Sequence, residues 1–578
     1  MIQAILRAVT RPPGWLLARS FDFIADRRLG RRGMLELYLT HKLRPLLALR
    51  ALEQAAAHPS ARGVILHIRD ISWGWATLVE WREALGRIRA AGGLVVAVVE
   101  APGNGGYYLA SAADRVLMAP SGELGIVGVG AAMSFFGPAL EKVGVQFDVV
   151  AAGAYKSFGE QFTRSEPSPE NREAMEALID GLHADFVAGL AESRGMSEAK
   201  IQELIDRAPI QADEAVEIGL VDALGYDDRL DELLEELLGE EARRVAARSI
   251  VRMDRWSRAL DGMFADNPAV AVVHLQGSVV MGDQPSNGKL QISAREVPPV
   301  LKSLAEHPSV KAVVIAIDSP GGSALASDII WRSVELLKRE KPVVAALGNV
   351  AASGGYYIAS GASEIISRPS TLTGSIGVVG GKLVLGQALE KLGVSTYVIA
   401  RGKNVGVDGV WKPFNDEQRE RFRARLKSTY DLFLKRVSAG RRKPVSAIAP
   451  VAEGRVWTGR DAELNGLVDH LGGLEHAMAR ARQMAGLRSA QQWQRLDVVV
   501  QAQGGRLQQL IRRAVTEGAG IHYSEGRLSA LEVLANNPDE ALALMPMEID
   551  LAVSRNPLAR VGFTTLDLLN RWRALRGL

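Results

Sequence analysis

Short, continuously apolar runs recur along the chain, GVILHI at 63–68 and LVVAVV at 94–99, then AVVIAI at 312–317 and PVVAAL at 342–347. A stretch of helical length precedes each pair, PLLALRALEQAAAHP at 45–59 and PPVLKSLAEHP at 298–308, and another separates the two runs of the pair. A strand buried on both faces reads as an uninterrupted apolar run, and strands alternating with helices build parallel sheet. The pattern therefore predicts an α/β protein with parallel strands and flanking helices. A glycine-rich turn follows the second run of each pair, APGNGGYYLAS at 101–111 and NVAASGGYYIAS at 349–360. Turns after strands are where such folds usually place chemistry.

These two turns are copies of one another. Setting Asn104 against Ser353 gives an offset of 353 − 104 = 249, which holds without a gap from Val64 against Val313 to at least Val145 against Val394. Nineteen of the forty-two positions from 104 to 145 are identical to their partners, too many for chance. A two-residue deletion follows, after which IGLVDALG at 218–225 matches NGLVDHLG at 465–472. The repeat predicts duplicated domains over 45–250 and 265–485, a leader over 1–44 and a C-terminal helical extension over 486–578.

Composition narrows the class. A chain of 578 residues with 47% hydrophobic and 23% charged residues has material for more than one buried core and is not a disordered polymer. Sixty-nine Lys plus Arg nearly cancel 66 Asp plus Glu, so no overall field recruits nucleic acid. With no cysteine, disulfides, thiolate catalysis and Cys-based zinc sites are excluded together. The uncharged run Val343–Ser363 has the length of a membrane span, but Gly348, Asn349, Gly354 and Gly355 interrupt it, and a strand, loop and helix is the better reading. Residues 1–33 carry seven Arg, too polar for a signal peptide, while Trp15, Leu16, Leu17, Phe21, Phe23 and Ile24 suit an amphipathic helix on a membrane surface or on the chain's own domain.

Differences between the copies carry the chemistry. A Pro-Gly-Gly turn is ordinarily just a turn, and a Ser before a helix is ordinarily an N-cap. Yet Gly321 and Gly322 of DSPGGS align with Ser72 and Trp73, Ser353 with Asn104, and Ser375 of TGSIG with Ile126. Structural needs would be shared by both copies, and these residues occur in one. Conversely, Lys156 of GAYKSFGEQFTR aligns with Val405. A nucleophilic Ser353 with backbone donors at Gly354, Gly321 and Gly322 suits acyl transfer, provided a base takes its proton. No His lies between Ser353 and His470, and His67 sits within a core strand. A lysine serves if burial keeps its amine neutral. Lys403, two positions from the one aligned with Lys156, competes for that role. No metal constellation or phosphate-binding Gly-Lys loop is present, so neither metal nor other cofactor is expected.

DSPGGS, AASGGYY and PSTLTGSIG in the second copy, with GAYKSFGEQFTR in the first, resemble the long, duplicated signal peptide peptidase A type of peptidase family S49. The resemblance covers about 45–485. It implies tandem ClpP/crotonase-like domains and a serine endopeptidase acting on remnant signal peptides or other short apolar or unfolded peptides. It further implies Ser353 as nucleophile, Lys156 as base, Ser375 orienting the lysine, and an oxyanion held by Gly354 and Gly321 or Gly322. A membrane-associated, bowl-shaped homotetramer is implied too, although the chain shows no convincing spanning segment and a peripheral or cytoplasmic placement is open. Two rival readings are a crotonase-like acyl-CoA enzyme and a non-catalytic ring-forming scaffold.

Overall fold

The structure is a computed structural model and describes residues 33–40, 43, 45–239, 241–247, 268–282, 290–402, 404–487, 493–500 and 542–544. The apolar runs form the centres of two parallel sheets. In the first the strand order is Ala223–Leu224, Arg115–Met118, Leu94–Val99, Ala61–Ile68, Gly33–Leu39 and Arg243–Ala246, every pair parallel. In the second, Val343–Ala352, Val310–Ser319, Ala269–Gln276 and Gln494–Val499 follow one another in parallel. Glu364–Ser367 and then His470–Leu471 continue from Val343–Ala352. The two sheets thus repeat strand for strand. Val64, Ile65 and Leu66 in one and Val313, Val314 and Ile315 in the other are all essentially inaccessible, as expected for strands covered on both faces. The strands define two tandem α/β units, as the repeat predicts.

Each unit carries one long helix in the same place, Pro169–Arg194 and Asp416–Arg441, both of 26 residues. The caps match too, Ser168 accepting from Asn171 N–H and Asn415 from Gln418 N–H. The run at 343–363 is strand Val343–Ala352 followed by helix Gly354–Ala359. Among the described residues no helix is long and apolar enough to cross a membrane.

Two boundaries move. Gly33–Leu39, placed by sequence in the leader, is an interior strand of the first sheet, and Gln494–Val499, placed in a helical extension, is the edge strand of the second. The sequence repeat detects only segments that have kept their residues, whereas these strands kept only their pattern and place. The amphipathic segment at 15–24 and most of the helical extension expected over 486–578 lie outside the described residues.

A third sheet joins the halves. Gln146–Ala152 of the first half pairs antiparallel with Val378–Val384 of the second, from Ala152 opposite Val378 to Gln146 opposite Val384. Around this seam, Thr77 N–H donates to Asn349 Oδ1 at 2.9 Å. Buried Arg368 donates through Nε to Glu80 Oε2 at 2.9 Å and its guanidinium also meets Glu83, so first-half carboxylates neutralise a second-half charge that burial would otherwise make costly.

Candidate active site

Sheet register assembles the site. Leu372–Gly374 runs parallel to the end of Val343–Ala352, with Ala352 opposite Gly374, so the next residues, Ser353 and Ser375, emerge side by side. Both are fully buried and both have positive φ, 56° and 50°. For a non-glycine residue that conformation costs on the order of 1–3 kcal/mol and persists only where the surroundings impose it. Here Ser353 N–H donates to Gly374 O at 2.8 Å and Ser375 N–H to Arg455 O at 2.7 Å, pinning both turns. Ser353 ends the strand and stands just before helix Gly354–Ala359 without capping it through its side chain. Its hydroxyl is therefore free for something else.

That something is Lys156. The strand pair across the halves ends at Ala152 opposite Val378, and the turn beyond Ala152 carries Lys156 back over Ser375, three residues before Val378. Lys156 Nζ lies 2.8 Å from Ser353 Oγ, 2.9 Å from Ser375 Oγ and 3.0 Å from Ser375 O. The lysine is 3% exposed, and among the described residues no carboxylate is bonded to it. Desolvation without a compensating anion holds its pKa well below the ordinary lysine value. Three neighbours also suit the neutral amine, which has two N–H donors for the oxygens of Ser375 and one lone pair for the Ser353 hydroxyl proton. An ammonium has three donors and nothing to accept with.

The glycines predicted as donors lie against the turn that carries Ser353. A Cβ on Gly354 would stand 3.2 Å from Gly321 Cα and Gly322 N and 2.5 Å from Ser327 Oγ, so the two loops touch and position 354 has no room for a side chain. Gly321, at φ 103°, gives its N–H to Ser319 Oγ at 3.2 Å. Beside them, Leu542–Leu544 pairs antiparallel with Gly321–Ser323 on one side and with Val379 on the other.

Sequence reading missed the loop that presses on the lysine. A Cβ on Gly454, at φ 80°, would meet Lys156 Cβ and N at 2.7 Å. Tyr155 N–H donates to Glu453 O at 2.8 Å, Gly454 N–H to Ile376 O at 2.8 Å, and Tyr430 Oη accepts from Glu453 N–H at 3.1 Å. Nothing in AEGRVW at 452–457 marks it as chemical; its importance lies in contact with a residue some 300 positions earlier. Lys403 lies outside the described residues. His67 is buried, bonds through Nε2 to Glu36 Oε1 at 2.7 Å and stacks on Tyr38, as the strand pattern implied. Glu36, His67 and Asp227 lie close enough together to suggest a metal cluster, but Arg244 bonds both carboxylates there, to Asp227 at 3.2 Å.

In the first copy the corresponding centre has been dismantled. Asn104 opens helix Asn104–Ala110 without positive φ and gives its amide N–H to Gly128 O at 2.6 Å, while Ile126, in place of Ser375, joins the apolar core. Neither Asn104 nor Ile126 has the positive φ of its counterpart.

Two tandem α/β units meet around one buried Ser–Lys pair, and comparison with known proteins gives the class, a serine peptidase, and the family. The chain belongs to peptidase family S49, whose family model matches it twice, over residues 87–240 and 335–488. It is similar to the chloroplastic serine protease SPPA of Arabidopsis thaliana, 35% identical over 75% of this chain and 64% of that protein. It is also similar to Protease 4 of Salmonella typhi, 29% identical over 80% of this chain and 77% of the relative, and to Protease 4 of Haemophilus influenzae, 28% identical over 76% and 72%. The chain thus spans just under two thirds of the plant relative's length.

Proposed function

We propose that the chain is a Ser–Lys endopeptidase in which Ser353 is the nucleophile and Lys156 the general base, acting on short apolar or unfolded peptides such as remnant signal peptides. The single observation that carries this reading is the buried 2.8 Å contact between Lys156 Nζ and Ser353 Oγ, with no carboxylate among the described residues bonded to the lysine. Neutral Lys156 takes the hydroxyl proton as Oγ attacks the scissile carbonyl. Gly354 and Gly322 N–H groups receive the oxyanion, and Gly321, already bonded to Ser319, shapes the loop. The Lys156 ammonium then protonates the leaving amine, the C–N bond breaks, and water, deprotonated by the regenerated amine, releases the acyl group from Ser353. Ser375 orients the amine through two of its three contacts.

The strand position held by Leu542–Leu544 supports a peptide substrate: an extended chain there gains main-chain hydrogen bonds from Gly321–Ser323 beside the nucleophile. An acyl-CoA enzyme is disfavoured because the group facing the lysine is a hydroxyl rather than a carboxylate. The reading extends to a homotetramer with peripheral membrane contact through the Arg-rich leader. It is tested by peptide hydrolysis and serine-directed covalent labelling of wild type, Ser353→Ala and Lys156→Met. Loss of turnover in both variants with folding intact, and of labelling in Ser353→Ala, is expected. Activity retained by Lys156→Met alone moves the base to Lys403, and activity retained by both overturns the mechanism.

A further inference from the structure

The strand that delivers Ser353 carries a bulge. Ile317 pairs with Leu347 but Ser319 with Ala351, so two steps along Val310–Ser319 are matched by four along Val343–Ala352. Across the surplus at Gly348–Val350 the strand exchanges one neighbour, Glu364–Ser367, for another, Leu372–Gly374, which brings Ser353 beside Ser375. Re-aiming a strand is what bulges do. In the first copy Gly63–Ile68 and Leu94–Val99 pair without any shift, and the strand stops at Val99, the equivalent of Gly348.

Asp318 fills the bulge. Its Oδ1 accepts from Val350 N–H at 3.1 Å and its Oδ2 from Asn349 Nδ2 at 3.3 Å, while a Cβ on Gly348 would stand 3.0 Å from Asp318 Cβ. Thr371 Oγ1 satisfies the Gly348 carbonyl at 2.7 Å. Asp318 is partly buried, burial pushes its pKa up, and among the described residues no cation is bonded to it. The sheet does not need this anion: the first copy builds the same strands with Arg69 at that place, exposed and 3.7 Å from Glu100, the equivalent of Asn349.

Asn349 carries the contact into the other half. Helix Trp75–Ala90 opens at Gly74, which has no side chain to cap it, and Asn349 Oδ1 takes the Thr77 N–H instead. A Cβ on Gly74 would stand 2.4 Å from that oxygen. Because the helix N–H demands the amide oxygen, Asn349 Nδ2 is left to donate to Thr77 Oγ1 at 2.9 Å and to Asp318, and only an acceptor suits position 318.

We propose that Asp318 is a positioning residue for Ser353, holding the bulge that aims the serine, and that Asn349 keys this bulge to the half that brings Lys156. Both roles rest on the reading that Ser353 attacks and Lys156 takes its proton. Serine and lysine arrive from opposite halves, so a link between the serine's strand and a first-half helix helps to set their 2.8 Å separation. Asp318 itself touches neither of them; it acts through Val350 and Asn349.

The test exchanges the two side chains. In Asp318→Asn the amide oxygen keeps Val350 N–H, but the amide nitrogen confronts Asn349 Nδ2, donor against donor. In the double variant Asp318→Asn/Asn349→Asp every partner returns, because the amide at 318 donates to a carboxylate at 349 that still accepts from Thr77 N–H. The measurements are kcat and KM on an apolar reporter peptide and the rate of Ser353 labelling, each below the unfolding temperature of the variant. Asp318→Asn is expected to lower kcat and labelling together, roughly 10-fold, with KM within about twofold, and the exchanged pair to regain most of both. Wild-type kcat in Asp318→Asn, whatever its Tm, makes the residue merely structural and overturns the proposal. A loss that the exchanged pair leaves unrepaired overturns the link through Asn349. Should Asp318→Asn not fold, Thr77→Val decides, since it removes only the hydroxyl that Asn349 Nδ2 donates to: a lower kcat at unaltered KM upholds the link and an unchanged kcat overturns it. Ser353→Ala is measured beside them. Inactive Ser353→Ala with fully active Asp318→Asn overturns this proposal alone, whereas hydrolysis that survives Ser353→Ala overturns the Ser–Lys reading beneath it.

Discussion

Removing the Ser375 hydroxyl tests the proposed site most sharply, because it leaves Ser353 and Lys156 in place. In Ser375→Ala the amine of Lys156 keeps Ser353 Oγ and Ser375 O but loses the acceptor at 2.9 Å, in a pocket that water does not reach. A buried donor left without a partner costs about 1–3 kcal/mol. At about 1.36 kcal/mol per decade, kcat/KM falls roughly 5- to 150-fold on the alkaline plateau, where the lysine is already neutral. The hydroxyl also accepts more strongly from an ammonium than from an amine, so its removal favours the neutral form, lowers the Lys156 pKa further and moves the acid limb of the profile to lower pH. The deficit should therefore shrink as pH falls. Because Ser375 has φ 50°, where alanine is strained, Ser375→Gly is the matched variant that removes the hydroxyl and relieves the backbone. The assay is kcat/KM on an apolar reporter peptide across the pH range, with thermal unfolding beside it. Wild-type rates and an unmoved acid limb in Ser375→Gly would refute the orienting role.

Lys156→Met should change stability as well as rate. The folded pKa lies well below the unfolded value of about 10.4, so between the two the unfolded chain binds the extra proton and wild-type stability rises with pH. Urea unfolding should show that rise in the wild type and its loss in Lys156→Met, with the variant the more stable on the acid side. Gly454→Ala places a Cβ 2.7 Å from Lys156 Cβ and N at φ 80°, and the displaced amine should cost on the order of 10²-fold in turnover while Ser353 itself is untouched; wild-type kcat would argue that the loop yields. Arg368→Ala leaves Glu80 buried without its partner across the seam and should cost about 3–5 kcal/mol, read as a fall in Tm accompanied by loss of hydrolysis. Deleting the chain beyond residue 500 removes Leu542–Leu544 from the slot beside Gly321–Ser323, so KM for peptide should fall with kcat little changed; an unaltered KM would mean the strand does not compete.

The sequence by itself determined the α/β character, the duplication and the residues that differ between copies. Uninterrupted apolar runs have few alternatives to buried parallel strands, and a repeat at constant offset needs no geometry to be seen. Ser353, Ser375 and Lys156 were legible because each is present in one copy and replaced in the other, a comparison internal to the chain. The tertiary structure alone decided that Gly33–Leu39 and Gln494–Val499 complete the sheets, since edge and flanking positions constrain pattern more than identity. It also decided that Gly454 presses on the lysine and that a buried Arg368–Glu80 pair closes the seam. Those contacts join residues hundreds of positions apart, and spacing along a chain says nothing about distance once strands of two halves pair. The depressed pKa of Lys156 belongs to the same category: a lysine is written identically whether wet or dry, and only burial lowers its pKa.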